Sequence, residues 1–215
     1  MFTGIIESAL PLLTARDEGG VRSLSLDLSS LQGNENVKLG DSVALNGCCL
    51  TVAGLKGAVA NFQAIPETLR LTNLGDLQPG ALVNVERAMQ AGARFDGHFV
   101  QGHVDGVGDV AAIDDRGGEW RVRIACGREF ADHCIPKGSV CLDGISLTIA
   151  ELHEDSIVVA IIPHTRQVTN IRAWAPGTRV NLEADMIGKY VRRQLQQQTQ
   201  SNVDENLLRR AGFVS

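Results

Sequence analysis

Ser42-Val-Ala-Leu-Asn-Gly-Cys-Cys-Leu-Thr-Val-Ala53 returns 97 residues later as Ser139-Val-Cys-Leu-Asp-Gly-Ile-Ser-Leu-Thr-Ile-Ala150. The same offset carries Pro66 and Thr68 onto Pro163 and Thr165, Thr72-Asn73 onto Thr169-Asn170, Pro79-Gly80 onto Pro176-Gly177, and Val83-Asn-Val-Glu86 onto Val180-Asn-Leu-Glu183, all without a gap. A period this long is no solenoid; it reads as two copies of one domain. A further anchor opens each copy, where Phe2-Thr3-Gly4-Ile5-Ile6 resembles Val100-Gln101-Gly102-His103-Val104 at an offset of 98. These matches place an N-terminal domain at 1–97, a C-terminal domain at 98–186 and a tail at 187–215.

Each copy reads as β-structure. Val43 to Val52 and Val140 to Ile149 are rich in aliphatic and β-branched residues, and each is broken by Asn46-Gly47 or Asp143-Gly144, dipeptides that favour tight hairpin turns. Pro79-Gly80 and Pro176-Gly177 predict further turns, each followed by a short strand. About six short strands per copy suggest a small antiparallel barrel, whose closure removes exposed sheet edges. Two cores of about 90 residues are small but viable. The tail differs: Ile187, Val191 and Leu195 follow a helical spacing on an otherwise polar segment, a narrow stripe that suits self-association or packing on its own barrel. A second short amphipathic segment runs from Val203 to Ala211.

The net charge of −5, without a long basic stripe, argues against nucleic-acid binding. The opening residues lack signal-peptide character and no stretch is long enough to span a bilayer, so a cytoplasmic location is expected. Five cysteines (Cys48, Cys49, Cys126, Cys134 and Cys141) without a CxxC pair point to reduced thiols rather than disulfides or a metal site.

The motifs Met1-Phe-Thr-Gly-Ile-Ile-Glu7, Asn46-Gly-Cys-Cys-Leu-Thr-Val52, Glu67-Thr-Leu-Arg-Leu-Thr-Asn-Leu-Gly75, Val83-Asn-Val-Glu-Arg87, Gly102-His-Val-Asp-Gly106, Lys137-Gly138, Asp143-Gly-Ile-Ser-Leu-Thr148 and Ile162-Pro-His-Thr165 occur in the order of the riboflavin synthase family, which the chain resembles from residue 1 to about 193. The resemblance implies an all-β fold of tandem six-stranded Greek-key barrels with a C-terminal helix. It also implies a homotrimer held partly by that helix, and sites shared between the N-terminal barrel of one subunit and the C-terminal barrel of the next. The implied reaction is a transferase dismutation: one 6,7-dimethyl-8-ribityllumazine gives four carbons to another, yielding riboflavin and a ribitylaminouracil, with no metal or external cofactor. Lumazine synthase is a further partner the family suggests.

The resemblance places catalytic roles on Cys48, His103, Ser146, Thr148 and Asp185. It places ligand contacts on Gly4, Ile5 and Ile6; on Cys48, Cys49 and Leu50; on Gln63, Ala64, Ile65, Pro66, Glu67 and Thr68; and on Gly102, His103 and Val104. In the second copy the contacts are Lys137, Ser146, Leu147 and Thr148, then Ile161, Ile162, Pro163, His164, Thr165 and Arg166. Structural alternatives stand beside several of these. A free thiol such as Cys48 is commonly a core residue, Cys49 faces the other way on a strand, and Asp185 suits a helix N-cap. Ser146 and Thr148 share one strand face with Leu147 turned away. His98, five residues before His103, ranks lower. The chain departs from the family at Gln63, Asp96 and Gln101, where an acid, a glycine and a serine are usual. The alternative function is that of lumazine proteins, which keep the fold and bind lumazine or flavin without catalysis; retention of Ser146, Thr148, Pro163-His-Thr165 and Asp185 favours the enzyme.

Overall fold

The computed structural model describes residues 1–200 and Arg209; the Val203–Ala211 segment anticipated above lies, but for Arg209, outside the described residues. Two closed antiparallel barrels of six strands account for most of the chain. The first comprises β1 (Ser8–Glu18), β2 (Val21–Asp27), β3 (Ser42–Leu45), β4 (Cys48–Lys56), β5 (Val59–Ala64) and β6 (Leu82–Arg87). Around the barrel they run β1-β2-β5-β4-β3-β6. The second comprises β7 (Gly106–Asp115), β8 (Trp120–Ala125), β9 (Ser139–Leu142), β10 (Ile145–Leu152), β11 (Ser156–Ile161) and β12 (Arg179–Ala184), in the same cyclic order. Short helices α1 (Pro66–Leu71), α2 (Gly127–Ala131) and α3 (Pro163–Val168) lie between strands, and α4 (Met186–Gln200) follows the second barrel.

The period-2 alternation of the strands fills the barrels. Cys48, Leu50 and Val52 of β4 meet Ala60, Phe62 and Ala64 of β5 inside the first; Ile145, Leu147 and Ile149 of β10 meet Ile157, Val159 and Ile161 of β11 inside the second. The turns form as the dipeptides predict. Asn46 and Gly47 have φ of 45° and 75°, Asp143 and Gly144 of 46° and 84°, the paired positive φ values that a two-residue hairpin requires. Register shifts between Val52 and Gly54 in β4 and between Ile149 and Glu151 in β10 fall at repeat-equivalent places, and such bulges curve strands toward closure.

The barrels meet at these two turns. A Cβ on Gly47 would lie 2.5 Å from the Gly144 nitrogen, so the backbones touch where no side chain fits. Around this contact runs a buried amide network that crosses from barrel to barrel. Asn84 Nδ2 donates to the Asp143 carbonyl and to Asn170 Oδ1, each at 2.9 Å; Asn181 Nδ2 donates to the Asn46 carbonyl at 2.8 Å. Asp143 accepts from Asn181 N at 2.8 Å, Asn73 Nδ2 at 3.0 Å and Asn170 Nδ2 at 2.8 Å.

Each barrel is preceded by an extended segment, here called a strap. The straps pair with one another through Phe2 N to the Val100 carbonyl, 2.7 Å, and the reciprocal bond at 3.2 Å. Each is clamped by a buried glutamate of its own barrel. Glu86 accepts Thr3 N at 2.7 Å and Gly4 N at 3.0 Å; Glu183 accepts Gln101 N at 2.7 Å and Gly102 N at 3.0 Å. Each strap then docks on the opposite barrel. The Gly4 carbonyl accepts Ser146 N at 2.8 Å, and the Gly102 carbonyl accepts Cys49 N at 2.9 Å. Ile6 accordingly packs on the second core and Val104 on the first.

Candidate functional site

Strap crossing sorts the predicted ligand residues into two equivalent clusters. The first gathers Cys48, Cys49 and Leu50 on β4, Gln63 and Ala64 at the end of β5, Ile65, and Pro66, Glu67 and Thr68 in α1. The β4–β5 register, Val52 opposite Phe62, carries Leu50 alongside Ala64. Gly102 of the second strap closes onto Cys49, with His103 and Val104 following. The second cluster gathers Ser146, Leu147 and Thr148 on β10, Ile161 at the end of β11, and Ile162 leading into Pro163, His164, Thr165 and Arg166 of α3. Gly4, Ile5 and Ile6 of the first strap complete it. Both mouths carry exposed apolar side chains: Ile65 and Ile162, at equivalent positions, are 55% and 59% exposed, and Ile5 is 49% exposed. Thr68 and Thr165 are each held at the helix by a following threonine, whose hydroxyl donates to their carbonyls at 2.7 and 2.6 Å.

Other predicted residues sit differently. Ser146 and Thr148 face outward on β10, half-buried and exposed, while Leu147 points into the barrel. Cys48 also points into its barrel, and Cys49 packs under Gly102 with Phe2, Ala44, Val100 and Cys141. His103 is exposed, at the repeat position of Ile5. Asp185 Oδ1 accepts Ile187 N at 2.9 Å, the N-cap arrangement at the start of α4. Lys137 lies beside the middle of β10, its backbone N donating to the Ile149 carbonyl at 2.9 Å and its Nζ 3.5 Å from the Ala150 carbonyl. It keeps a φ of 65° where the first copy has Gly40, a conformation that disfavours a side chain. Arg166 is drawn aside over the Trp120 ring, 3.6 Å from its centroid, with Asp115 at 3.7 Å. Of the departures from the family, Gln63 and Asp96 are exposed, and Gln101 contributes its backbone to the Glu183 clamp. A separate cleft of about 520 Å³, between the first strap and residues 88–96, takes only Ile5 from the predicted ligand residues.

A contact that sequence reasoning ranked low joins the second cluster: His98 is buried, with Nδ1 2.7 Å from Ser146 Oγ. The signal available was its place directly after Gly97, where a Cβ would lie 1.9 Å from the Thr3 carbonyl oxygen. The paired Glu86 and Glu183 clamps were also missed, although both stand in the repeated Val-Asn-x-Glu motif.

Comparison with known proteins decides what this scaffold is. The lumazine binding domain model matches twice, at residues 3–88 and 101–185. Riboflavin synthase of Bacillus amyloliquefaciens is 41% identical over 94% of both chains. That of Bacillus subtilis is 39% identical over 99% of this chain and all of its own. The chain belongs to the riboflavin synthase family. The same fold is seen in LumP crystallised with riboflavin, TM-score 0.80 at 23% identity over 86% of this chain and 99% of that one, and in LumP with 6,7-dimethyl-8-(1'-D-ribityl) lumazine, TM-score 0.77.

In this family member the electrostatics of the two clusters are dominated by burial. Burial pushes the Cys48 thiol up to about 12, with the neighbouring Cys49 and Glu183 adding to it, so the resting group is a neutral thiol and a poor nucleophile. Burial also raises the Glu86 carboxyl, lifts Glu183 to about 7 against the two backbone N–H donors that favour its charged form, and lifts Asp143 to about 6. The folded protein thus holds protons on Asp143 and Glu183 that the unfolded chain releases near their ordinary values of 3.8 and 4.5. Their contribution to stability is full below about 4 and lost as pH rises through about 6 to 7. Thermal melts should therefore show a higher midpoint at pH 6.5 than at pH 8.5; a midpoint that climbs over this interval would contradict the assignment.

Proposed function

We infer that this chain catalyses the dismutation of two 6,7-dimethyl-8-ribityllumazine molecules to riboflavin and 5-amino-6-ribitylaminouracil. The observation that carries the reading is the pair of quasi-equivalent clusters, each built from one barrel and the strap of the other half. A reaction between two identical molecules needs two similar receptors, and a tandem duplication supplies them. The 7-methyl protons of the lumazine are acidic because the resulting anion delocalises into the ring. The protein's principal task is therefore to hold two rings in a reactive orientation, an effect worth up to about 7–11 kcal/mol when geometry is right.

Strap carbonyls and strand edges hold the ring polar atoms, while Ile65, Ile162 and Ile5 cover the ring faces. Ser146, Thr148 and Asp185 supply polar and acid–base groups on the C-terminal side, with Lys137 at its margin. Cys48 acts as a neutral hydrogen-bonding thiol beside the N-terminal ring. His103, exposed on its strap, faces toward a neighbouring subunit's site. The family's trimer has each N-terminal cluster facing a C-terminal cluster of the next subunit; the exposed Ile187, Val191 and Leu195 on α4 support assembly through that helix.

Incubating the purified chain with the lumazine alone should release fluorescent riboflavin, with half a mole formed per mole consumed. Tight binding without product would make the chain a lumazine-binding protein instead. Truncation after Met186 should yield monomers of weakened activity in sedimentation experiments; a persisting trimer would remove α4 as the assembly element.

A further inference from the structure

The two ligand-bearing helices are tied to their barrels in different ways. In the first copy Leu69 of α1 packs on the first core. In the second, the repeat places Arg166 at that position of α3, and a guanidinium does not enter an apolar core unpaired. The strands beneath have made the reverse exchange. Arg22 lies opposite Asp17 and Ala64, and Trp120 lies opposite Asp115 and Ile161, so Arg22 and Trp120 hold equivalent places in the two barrels. Arg22 is buried and spent: its Nη1 donates to the two Asp17 oxygens at 2.9 and 2.8 Å, and its Nη2 to the Leu77 carbonyl at 2.6 Å. Trp120 packs on the second core instead. The acid stays in place in both copies, while the cation and the apolar group trade places between strand and helix.

The exchange leaves a three-part contact beside the C-terminal cluster. Trp120 Nε1 donates to Asp115 Oδ2 at 2.8 Å, which fixes the indole, and the Arg166 guanidinium lies over that ring, 3.6 Å from its centroid. The same Asp115 oxygen is 3.7 Å from Arg166 Nη1. The Trp120 N–H first, then the Gly118 and Gly117 amides and the Arg166 charge, hold the Asp115 carboxyl below the usual carboxylate range, so it stays an anion at neutral pH. Thr169 and Arg172 bond to α3 from the chain that follows it. Among the described residues, the Arg166 side chain makes the one polar or ring contact between α3 and the barrel strands.

We propose that Trp120 and Asp115 are positioning residues for the C-terminal cluster: by holding Arg166 they set α3, and with it Ile162 and Thr165, against the ligand. This rests on the functional reading above and deepens it. Neither residue belongs to the cluster, so both act through Arg166. The tether is a half-exposed cation held by a ring and a carboxylate, and dissolved salt screens such a contact. The Leu69 anchor of α1 is apolar, and salt does not weaken it. Two clusters built on one plan therefore differ in what holds their helices, and only the C-terminal one is tuned by ionic strength.

The test compares wild type with Trp120→Leu, Trp120→Phe, Arg166→Gln and the double variant Trp120→Leu/Arg166→Gln in the full chain, by melting curves, turnover and titration with 6,7-dimethyl-8-ribityllumazine. Trp120→Leu keeps an apolar group on the core and removes the ring face; Trp120→Phe keeps a ring face and loses the indole N–H. Trp120→Leu and Arg166→Gln should each weaken one of the two binding phases about 5–10-fold and raise KM by a similar factor, with the other phase and kcat little changed. The double variant should lose no more than either alone, and Trp120→Phe should recover most of the affinity. In the wild type, raising sodium chloride from about 0.05 to about 0.5 M should weaken that same phase, and this salt effect should vanish in Arg166→Gln. If Trp120→Leu melts early, Arg166→Gln and the salt series decide, since both leave the core untouched. An unchanged or tighter phase in folded Trp120→Leu, losses that multiply in the double variant, or a salt effect that survives in Arg166→Gln would overturn the proposal while leaving the functional reading in place. Two binding phases that behave as expected, without riboflavin formed, would overturn that reading and leave the proposal standing. A wild-type chain without two phases would overturn both.

Discussion

Asp143→Ala should cost several kcal/mol of stability, because it leaves buried donors unsatisfied at about 1–3 kcal/mol each. Chemical denaturation followed by tryptophan fluorescence and circular dichroism would measure it. Asp143 is 1% exposed and accepts three hydrogen bonds, from Asn181 N, Asn73 Nδ2 and Asn170 Nδ2. Truncation leaves all three donors without that acceptor, in a place water cannot easily reach. Asn73 belongs to the first barrel, so the loss falls on the contact between barrels as well as on the Asp143 turn. Asp143→Asn should cost less. It installs the residue that the first copy carries at Asn46, keeps one acceptor oxygen and retains the turn conformation. Equal effects for Ala and Asn would mean that the acceptor oxygen and the turn conformation that Asn keeps contribute nothing, and would contradict this account of the network.

Gly102→Ala should lower turnover by about 100-fold, the scale of a displacement of about 1 Å at a positioned substrate. Gly102 has φ of 80°, and an added Cβ would lie 2.6 Å from Cys49 Cβ and 2.9 Å from Cys49 N. Neither neighbour is the tip of a flexible side chain, so the strap must lift. Lifting breaks the bond from Cys49 N and loosens the Glu183 clamp. The N-terminal cluster then loses one wall while the C-terminal cluster keeps its own. Lumazine titration should therefore show one of two binding phases weakened, in a chain that remains folded. Gly4→Ala, whose Cβ would lie 2.7 Å from Ser146 Cβ, should weaken the other phase. Wild-type turnover in both variants would show that the straps do not form the sites.

Much of this was legible in the residues. Asn46-Gly47 and Asp143-Gly144 specify turns through local backbone preference, and the alternation along β4 and β10 specifies which side chains enter a barrel. The outward Ser146 and Thr148 follow from the same alternation. The electrostatic character of the sites was less legible. Cys48 reads as a nucleophile or as packing from its neighbours alone, and only its burial makes it a neutral thiol. His98 reads as a lone histidine, because its partner is 48 residues away in sequence.

The amino-acid sequence by itself determined the duplication, the strand and turn chemistry, and the family, since these depend on local periodicity and on matches along the chain. Tertiary structure decided that the straps cross, that Glu86 and Glu183 clamp them, that an amide network joins the turns, and that His98 rather than His103 touches Ser146. Those contacts join residues far apart in the chain, and their strength comes from exclusion of water, a property that exists only once the barrels have closed on each other.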